Sequence, residues 1–149
     1  DIYTVIDDEL IIKKIKAMTS VQKFISGLNM QNVKRYEVIN DEGTVLEEDD
    51  YVGTESRLIV YNSANAQEGD EYLLSVIRDV NGDGYMNIAD VEKMRYYIAK
   101  MSTLEGLYLE EANINQDQRV DITDIMLMRK LIAAECYESE FSLSELNNN

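Results

Sequence analysis

The sequence predicts two joined modules of different classes: an α+β module with one helix on a mixed sheet, and an all-α module of two loop–helix repeats with a short connecting helix. β-Branched and aromatic residues are frequent in the first 78 of the 149 residues, apolar residues recur at helical spacing in the rest, and one acidic loop pattern occurs twice there. We expect the first module at residues 1–78, the second at residues 79–136 with repeats at 79–101 and 113–135, and a C-terminal tail at residues 137–149.

The first module contains five segments of strand composition and one of helix composition. The predicted strands are residues 2–6, 10–12, 33–39, 57–61 and 72–77. Residues 19–27 combine a polar cap, apolar residues at helical spacing and a late glycine, which predicts a helix. Residues 40–43 (Asn-Asp-Glu-Gly) predict a tight hairpin turn. This order of elements is typical of a β-grasp-like module.

Helical periodicity replaces the strand pattern in the second module. Apolar residues form one stripe at Val91, Met94, Ile98 and Met101, and a matching stripe at Ile125, Met128 and Ile132. Two helices with such stripes bury a shared core. The short connecting helix is predicted at residues 103–111. Because Arg78 ends a predicted strand and Asp79 already begins a loop, we expect the two modules to abut with little freedom.

Residues 79–90 (the first loop) place oxygen-bearing side chains at loop positions 1, 3, 5, 9 and 12 and a glycine, Gly84, at position 6. This is the pattern by which one short loop surrounds Ca²⁺, a hard cation that takes six to eight oxygens. The expected ligands are Asp79, Asn81, Asp83, the backbone carbonyl of Tyr85, Asn87 and Asp90. The glycine lets the chain turn back on itself.

Residues 113–124 (the second loop) repeat the pattern at an offset of 113 − 79 = 34 residues. The expected ligands are Asn113, Asn115, Asp117, the backbone carbonyl of Arg119, Asp121 and Asp124. This site should be the weaker of two Ca²⁺ sites, because Asn113 carries no charge and because Gln118 replaces the glycine, which costs up to about 1 kcal/mol if φ must be positive. A solvated acidic turn is the alternative, but the repeat continues into the following helix.

Composition excludes several classes of function. The chain has no histidine, which excludes catalysis by imidazole and zinc sites with histidine ligands, and the single Cys136, expected just past the last helix, cannot form an internal disulfide. A net charge of −15 argues against nucleic-acid and anionic membrane partners. The chain has no apolar run near 20 residues and begins at Asp1, so we expect a fragment of a larger secreted protein.

Three features distinguish the repeats from ordinary EF-hands: a strand enters the first loop, Asp stands at position 12 of both loops, and a basic residue (Arg95, Arg129) follows five positions later. With these features, residues 79–135 resemble the dockerin family. The resemblance implies a non-catalytic module, monomeric apart from its complex, that binds a cohesin on a scaffold protein and so assembles an extracellular, polysaccharide-degrading, cellulosome-like complex. The first module is similar in arrangement to the X modules that precede some dockerins, which implies a role in stabilising the dockerin.

The resemblance also implies which residues contact the cohesin. In the first repeat they are Ile88, Ala89, Arg95, Tyr96 and Lys100, and in the second they are Ile122, Thr123, Arg129, Lys130 and Ala134. We add Met126 and Leu127, which stand where the first helix has Glu92 and Lys93. Because the two faces differ in charge and shape, we expect one dominant binding orientation.

Two other functions remain open from the sequence. The loops could belong to an EF-hand-type calcium sensor or buffer, which the missing entering helices and the Asp at position 12 disfavour. Residues 1–78 could bind carbohydrate through a tyrosine platform, for which the candidates are Tyr3, Tyr36, Tyr51, Tyr61 and Tyr72. Tyrosines at alternating strand positions are more often ordinary sheet packing.

Overall fold

The computed structural model describes the backbone of residues 3–147 and the side chains of residues 3–135. Its elements in chain order are β1 (Thr4–Ile6), β2 (Ile11–Ile15), α1 (Val21–Ser26), β3 (Arg35–Ile39), β4 (Arg57–Tyr61), β5 (Asp70–Val76), α2 (Ile88–Ile98), α3 (Gly106–Ala112) and α4 (Ile122–Asn147). The five strands coincide with the five predicted segments, with shifted ends. Ile2, at the start of the first predicted strand, lies outside the described residues.

The strands form one mixed sheet in the order β1-β2-β5-β4-β3. Strands β2 and β5 are parallel, and the other neighbouring pairs are antiparallel. The register of β2 shifts between Ile12 and Ile15, where Lys14 adopts a positive φ of 66°. Such an irregularity bends a strand and increases its twist.

The predicted fold class, α+β with one helix laid across a β-grasp-like sheet, is wrong. Helix α1 has six residues, which gives a length of about 9 Å, whereas five strands spaced about 4.8 Å apart span about 19 Å. Its buried residues Val21 and Phe24 fill one part of the sheet core. The first half of the chain is therefore a β module with one short helix, in which Ser20 caps α1 by accepting a hydrogen bond from the Lys23 N–H.

Helices α2 and α4 share a second core. Val91 and Met94 of α2 and Ile125 and Met128 of α4 are buried in it, where the predicted stripes put them. The first stripe ends early: the predicted member Ile98, the last residue of α2, is 37% exposed, and Met101 lies beyond the helix and is 73% exposed.

The last helix is longer than the sequence suggests. Helix α4 runs from Ile122 to Asn147, so the predicted boundary after Cys136 and the predicted tail at residues 137–149 do not correspond to the end of a helix. The side chain of Cys136 and residues 148–149 lie outside the described part. No helix of the described residues combines the length and the apolar character needed to cross a membrane.

Candidate metal loops and the surfaces beside them

The first loop brings three carboxylates together. Asp79, Asp83 and Asp90 each offer an oxygen, and the three oxygens lie within 4.8 Å of one another. Asp79 and Asp90 have no exposed surface, whereas Asp83 is exposed. Carboxylates this close repel one another unless a cation lies between them, and an all-oxygen set of this kind suits Ca²⁺.

Burial makes the two inner carboxylates hard to ionise. Loss of hydration raises the pKa of Asp79 from 3.8 to about 7, although hydrogen bonds from Thr54 and Gly84 lower it. The same loss of hydration raises the pKa of Asp90 to about 6. Nearby carboxylates add to both shifts. A divalent cation would remove the cost of holding these anions together.

Asp90 joins the loop to its helix. Its Oδ1 accepts hydrogen bonds from the N–H groups of Val80 at 2.8 Å and Asn81 at 3.2 Å. Its Oδ2 accepts from the N–H of Asn87 at 2.9 Å, which is the reciprocal half of a capping box at the start of α2. The carboxylate at loop position 12 therefore also determines where the helix begins.

Gly84 serves two purposes in the first loop. Its φ is +83°, in the left-handed region that favours glycine. A Cβ at this position would also lie 2.8 Å from the carbonyl oxygen of Val52 in the β module. The turn and the close contact with the β module both require a residue without a side chain.

The second loop repeats several of the internal hydrogen bonds of the first. The amide N–H of Asp117 donates to Asn115 Oδ1 at 3.2 Å, and that of Arg119 donates to Asp117 Oδ1 at 3.0 Å. Asp124 accepts from Asp121 N–H at 2.9 Å and from Asn115 N–H at 3.1 Å. The repeat in the sequence is thus matched by repeated hydrogen bonds at loop positions 3, 5, 7, 9 and 12, while the individual ligand roles remain predictions.

A buried acceptor tests whether the second loop suits a cation. The Oδ1 atom of Asn113, at loop position 1, is buried and has no hydrogen-bond partner among the described residues. Its Nδ2 donates to the carbonyl oxygen of Asp117. An unpaired buried acceptor costs about 1–3 kcal/mol, and coordination of a cation would satisfy it. The residues of the second loop therefore fit a metal.

The second loop makes its turn without the energetic cost that we predicted for Gln118 in place of glycine. Gln118 is not among the residues with positive φ, whereas Gln116, at loop position 4, has a φ of 58°. In the first loop, positions 4 and 6 both have positive φ, at Gly82 and Gly84. The two loops thus differ in backbone shape at position 6, so the strain expected at Gln118 does not arise.

The predicted cohesin-binding residues are accessible. Ile88 and Ile122, which stand at position 10 of their loops, are 63% and 62% exposed. Ala89 and Leu127 are partly buried, and the other members of the set are exposed. Ile88, Ala89, Arg95 and Tyr96 belong to α2, the residues from Ile122 to Ala134 belong to α4, and Lys100 follows α2.

The structure also reveals contacts between the β module and the second half that sequence reasoning missed. Helix α3 is attached by five polar contacts, which are Lys13–Glu110 at 2.7 Å, Asp41–Tyr108 at 2.7 Å, Glu55–Leu107 N–H at 3.1 Å, Ser75–Glu111 at 2.6 Å and Arg78 N–H–Glu111 at 3.0 Å. The hydrogen bond to Asp41 and burial raise the pKa of Tyr108 well above its usual value, burial being the larger cause. No spacing pattern indicates such pairs.

The five candidate tyrosines do not form one platform. Opposed residues of neighbouring strands lie on the same face: Tyr36 opposes Val60 and Tyr72 opposes Leu58, on the face that carries the sheet core. Tyr61 is on the opposite face, where the Arg35 guanidinium lies 3.8 Å from its ring centre. Tyr3, Tyr36 and Tyr72 pack against the sheet core, whereas Tyr51 contacts the ring of Tyr85 in the first loop.

Residues 77–133 match the family model described as the dockerin type I domain. The matched segment contains both loops, α2, α3 and the first part of α4. A search of curated proteins and a search of solved structures found no match.

Proposed function

From the premise that residues 77–133 are a dockerin type I domain, we propose that the chain is a non-catalytic, calcium-dependent module that binds a cohesin on a scaffold protein. Dockerins are components of cellulosome-type complexes outside the cell, so the chain would attach its parent protein to an extracellular or cell-surface assembly that degrades polysaccharides. Two Ca²⁺ ions, one in each loop, would be the cofactors.

The observation that supports this proposal most strongly is the connection between each loop and its helix. Asp90 and Asp124 close their loops and also accept hydrogen bonds from the residues just before α2 and α4. Calcium bound by these carboxylates would hold the starts of both helices, beside which Ile88 and Ile122 are exposed. The metal would then be structural and the face would be formed before the partner arrives, which lowers the cost of binding.

Binding to a panel of cohesin modules, measured by calorimetry in Ca²⁺ and in EDTA, tests the proposal. The double variant Ile88→Ala/Ile122→Ala should weaken binding to the best cohesin by about tenfold or more, since a few well-packed residues carry most of the binding energy of an interface. Val45→Ala, a residue 56% exposed in the β module, is the matched control and should bind normally. Full affinity in EDTA, or no effect of the double variant, would contradict the proposal.

The β module would act as an X-like stabiliser of the dockerin. The support for this role is the set of polar contacts to α3 and the contact of Thr54 with Asp79. These contacts also favour domain boundaries near residue 78 with little freedom between the two parts. Disruption of one contact to α3 in the full chain should lower the melting temperature of the dockerin helices.

A calcium sensor is the second candidate, and one observation favours it. Helix α3 ends at Ala112, immediately before the second loop, so a short entering helix is present there, whereas β5 precedes the first loop. The argument from missing entering helices therefore holds for the first loop alone. An apolar dye separates the two functions, because a sensor exposes a groove when it binds Ca²⁺ and a dockerin buries apolar surface.

A further inference from the structure

We propose that residues 52–56 of the β module, together with Met18, are a structural part of the first loop. On this basis the first loop binds Ca²⁺ tightly only while the β module is folded, and Ca²⁺ in turn stabilises the β module. The second loop makes no hydrogen bond to the described residues of the β module and should depend on it less. This inference rests on the proposed calcium binding and assigns a positioning role to residues outside the dockerin domain.

The first step is a hydrogen bond to a predicted metal ligand. The backbone N–H of Thr54 donates to Oδ2 of Asp79 at 2.8 Å, and the N–H of Gly84 donates to the same oxygen at 2.9 Å. Oδ1 accepts from Gly82 N–H at 2.9 Å. One of the three donors that orient the position-1 carboxylate thus comes from the β module. Loss of such a partner behind a metal ligand typically weakens metal binding by about 10–100-fold.

The second step is the direct contact of two backbones. A Cβ on Gly53 would lie 2.0 Å from the carbonyl oxygen of Gly82. The N–H of Met18 donates to the carbonyl oxygen of Gly84 at 2.7 Å. Nearby, the rings of Tyr51 and Tyr85 make an edge-to-face contact with centroids 5.2 Å apart. The β module therefore supports the middle of the first loop as well as its first ligand.

The third step is that the sheet holds residues 52–56 in place. The N–H of Val76 donates to Thr54 Oγ1 at 3.1 Å, and that hydroxyl donates to the carbonyl oxygen of Val76 at 3.2 Å. The N–H of Leu74 donates to the carbonyl oxygen of Ser56 at 2.8 Å. Because these partners belong to β5, the donor to Asp79 is positioned only when the sheet is formed.

The second loop provides a contrast within the same chain. In the described part of the molecule, no hydrogen bond joins residues 113–124 to residues 3–78. Its closing residue Asp124 accepts hydrogen bonds from Asn115 and Asp121 of the same loop. Direct coupling through hydrogen bonds to the β module is therefore expected at the first loop alone.

Gly53→Ala in the full chain tests the contact. The φ of Gly53 lies outside the left-handed region, so alanine suits the backbone and the effect comes from the methyl group against Gly82. Gly69→Ala is the matched control, because its Cβ would lie 2.2 Å from the carbonyl oxygen of Val60, inside the β module. Both variants are compared at a temperature at which circular dichroism shows them folded.

Terbium emission sensitised by tyrosine, with Ca²⁺ as competitor, reports on the first loop. The chain has no tryptophan, Tyr85 stands in the first loop, and residues 113–124 contain no tyrosine. Gly53→Ala should weaken the first site by about tenfold or more, whereas Gly69→Ala should leave it unchanged. Equal affinity of the first site in Gly53→Ala and the unmodified chain would overturn the proposal.

The reciprocal experiment uses a matched pair of loop variants. Asp83→Asn and Asp117→Asn change position 5 of the two loops. Amide hydrogen exchange of residues 52–56 and 70–76 is measured with and without Ca²⁺ in each variant. Ca²⁺ should slow this exchange in the unmodified chain and in Asp117→Asn, and not in Asp83→Asn. Equal protection in the two variants would refute the coupling, while calorimetry showing Ca²⁺ bound by the unmodified chain would leave the proposed function intact.

Discussion

The hydroxyl of Ser75 in β5 donates a hydrogen bond of 2.6 Å to a carboxylate oxygen of Glu111 in α3. The other oxygen of Glu111 accepts from the backbone N–H of Arg78 at 3.0 Å. One side chain thus joins the last strand of the β module, the residues that lead into the first loop and the helix that leads into the second. Through this side chain the two halves are in direct contact.

Removing that carboxylate should destabilise the chain measurably. Glu111→Ala leaves the buried Ser75 hydroxyl and the Arg78 N–H without their acceptor, at a cost of about 1–3 kcal/mol in the free energy of unfolding. Glu110→Ala, one residue earlier in α3, removes an exposed ion pair with Lys13 that is worth at most about 1 kcal/mol. Chemical denaturation of both variants in Ca²⁺ makes the comparison. An equal decrease in the free energy of unfolding of the two variants would show that the Ser75–Glu111 hydrogen bond contributes no more than the exposed ion pair.

Calcium affinity should rise with pH between about 5 and 8. Burial raises the pKa of Asp79 to about 7 and that of Asp90 to about 6. The folded metal-free form therefore holds these protons more tightly than the unfolded chain does. The resulting stabilisation of the folded metal-free form is complete below pH 3.8, the ordinary pKa of an aspartate, and is lost as the pH rises through 6–7. Ca²⁺ requires the ionised carboxylates, so protons compete with it.

Calorimetric titration checks this sign. The dissociation constant of the first site should be at least about tenfold higher at pH 5.5 than at pH 7.5, and the melting temperature without Ca²⁺ should also be higher at pH 5.5 than at pH 7.5. Asp117, in the second loop, is exposed. A Ca²⁺ titration of the Asp83→Asn variant shows how much pH dependence of Ca²⁺ affinity remains in the second loop. A first-site affinity that is flat over this range would contradict the prediction.

Removal of Ca²⁺ should melt the helices of the second half. Without the metal, the close carboxylates of Asp79, Asp83 and Asp90 repel one another, and metal binding energy is folding energy in loops of this kind. Far-ultraviolet circular dichroism in excess EDTA should show a loss of helical signal that added Ca²⁺ restores. An unchanged spectrum in EDTA would count against a structural role for the metal.

Asp90→Ala should be more damaging than Asn113→Ala. Asp90 is the predicted closing carboxylate of the first loop, and it accepts two hydrogen bonds from the start of that loop and one from Asn87, just before α2. Asn113 is the predicted neutral first ligand of the second loop. The melting temperature and the Ca²⁺ affinity of the two variants decide the order. The reverse order would mean that the second loop is the stronger site.

One orientation of the cohesin complex should dominate. Tyr96 and Lys100 on one repeat correspond to Lys130 and Ala134 on the other, and all four are exposed. Each of these differences, tyrosine against lysine and lysine against alanine, changes the interface energy by about 1 kcal/mol or more when the residue is buried. A difference of about 1.4 kcal/mol already gives a tenfold preference for one orientation. The paired variants Arg95→Ala/Tyr96→Ala and Arg129→Ala/Lys130→Ala, measured separately, should differ clearly in cohesin affinity. If both bound normally and only their combination failed, the two faces would be interchangeable.

The metal loops and the helical core were predictable because the information is local. A calcium loop has its oxygen positions within 12 residues, and the apolar stripe of a helix repeats every three or four residues. The loop hydrogen bonds and the burial of Met94 and Met128 agree with those patterns. The same local rules misplaced Met101 and the end of α4, because the end of a helix depends on what the chain meets next.

The sequence by itself determined the two repeats and the strand segments of the first half, and it predicts the oxygen ligands and the class of cation, since each is a property of short spacing. Only the tertiary structure decided the strand order, the minor size of α1, and the contacts of the β module with the second half. Thr54 precedes its partner Asp79 by 25 residues, and Glu55 precedes its partner Leu107 by 52. No periodicity joins such pairs, because their proximity arises from how the sheet, the first loop and α3 pack together.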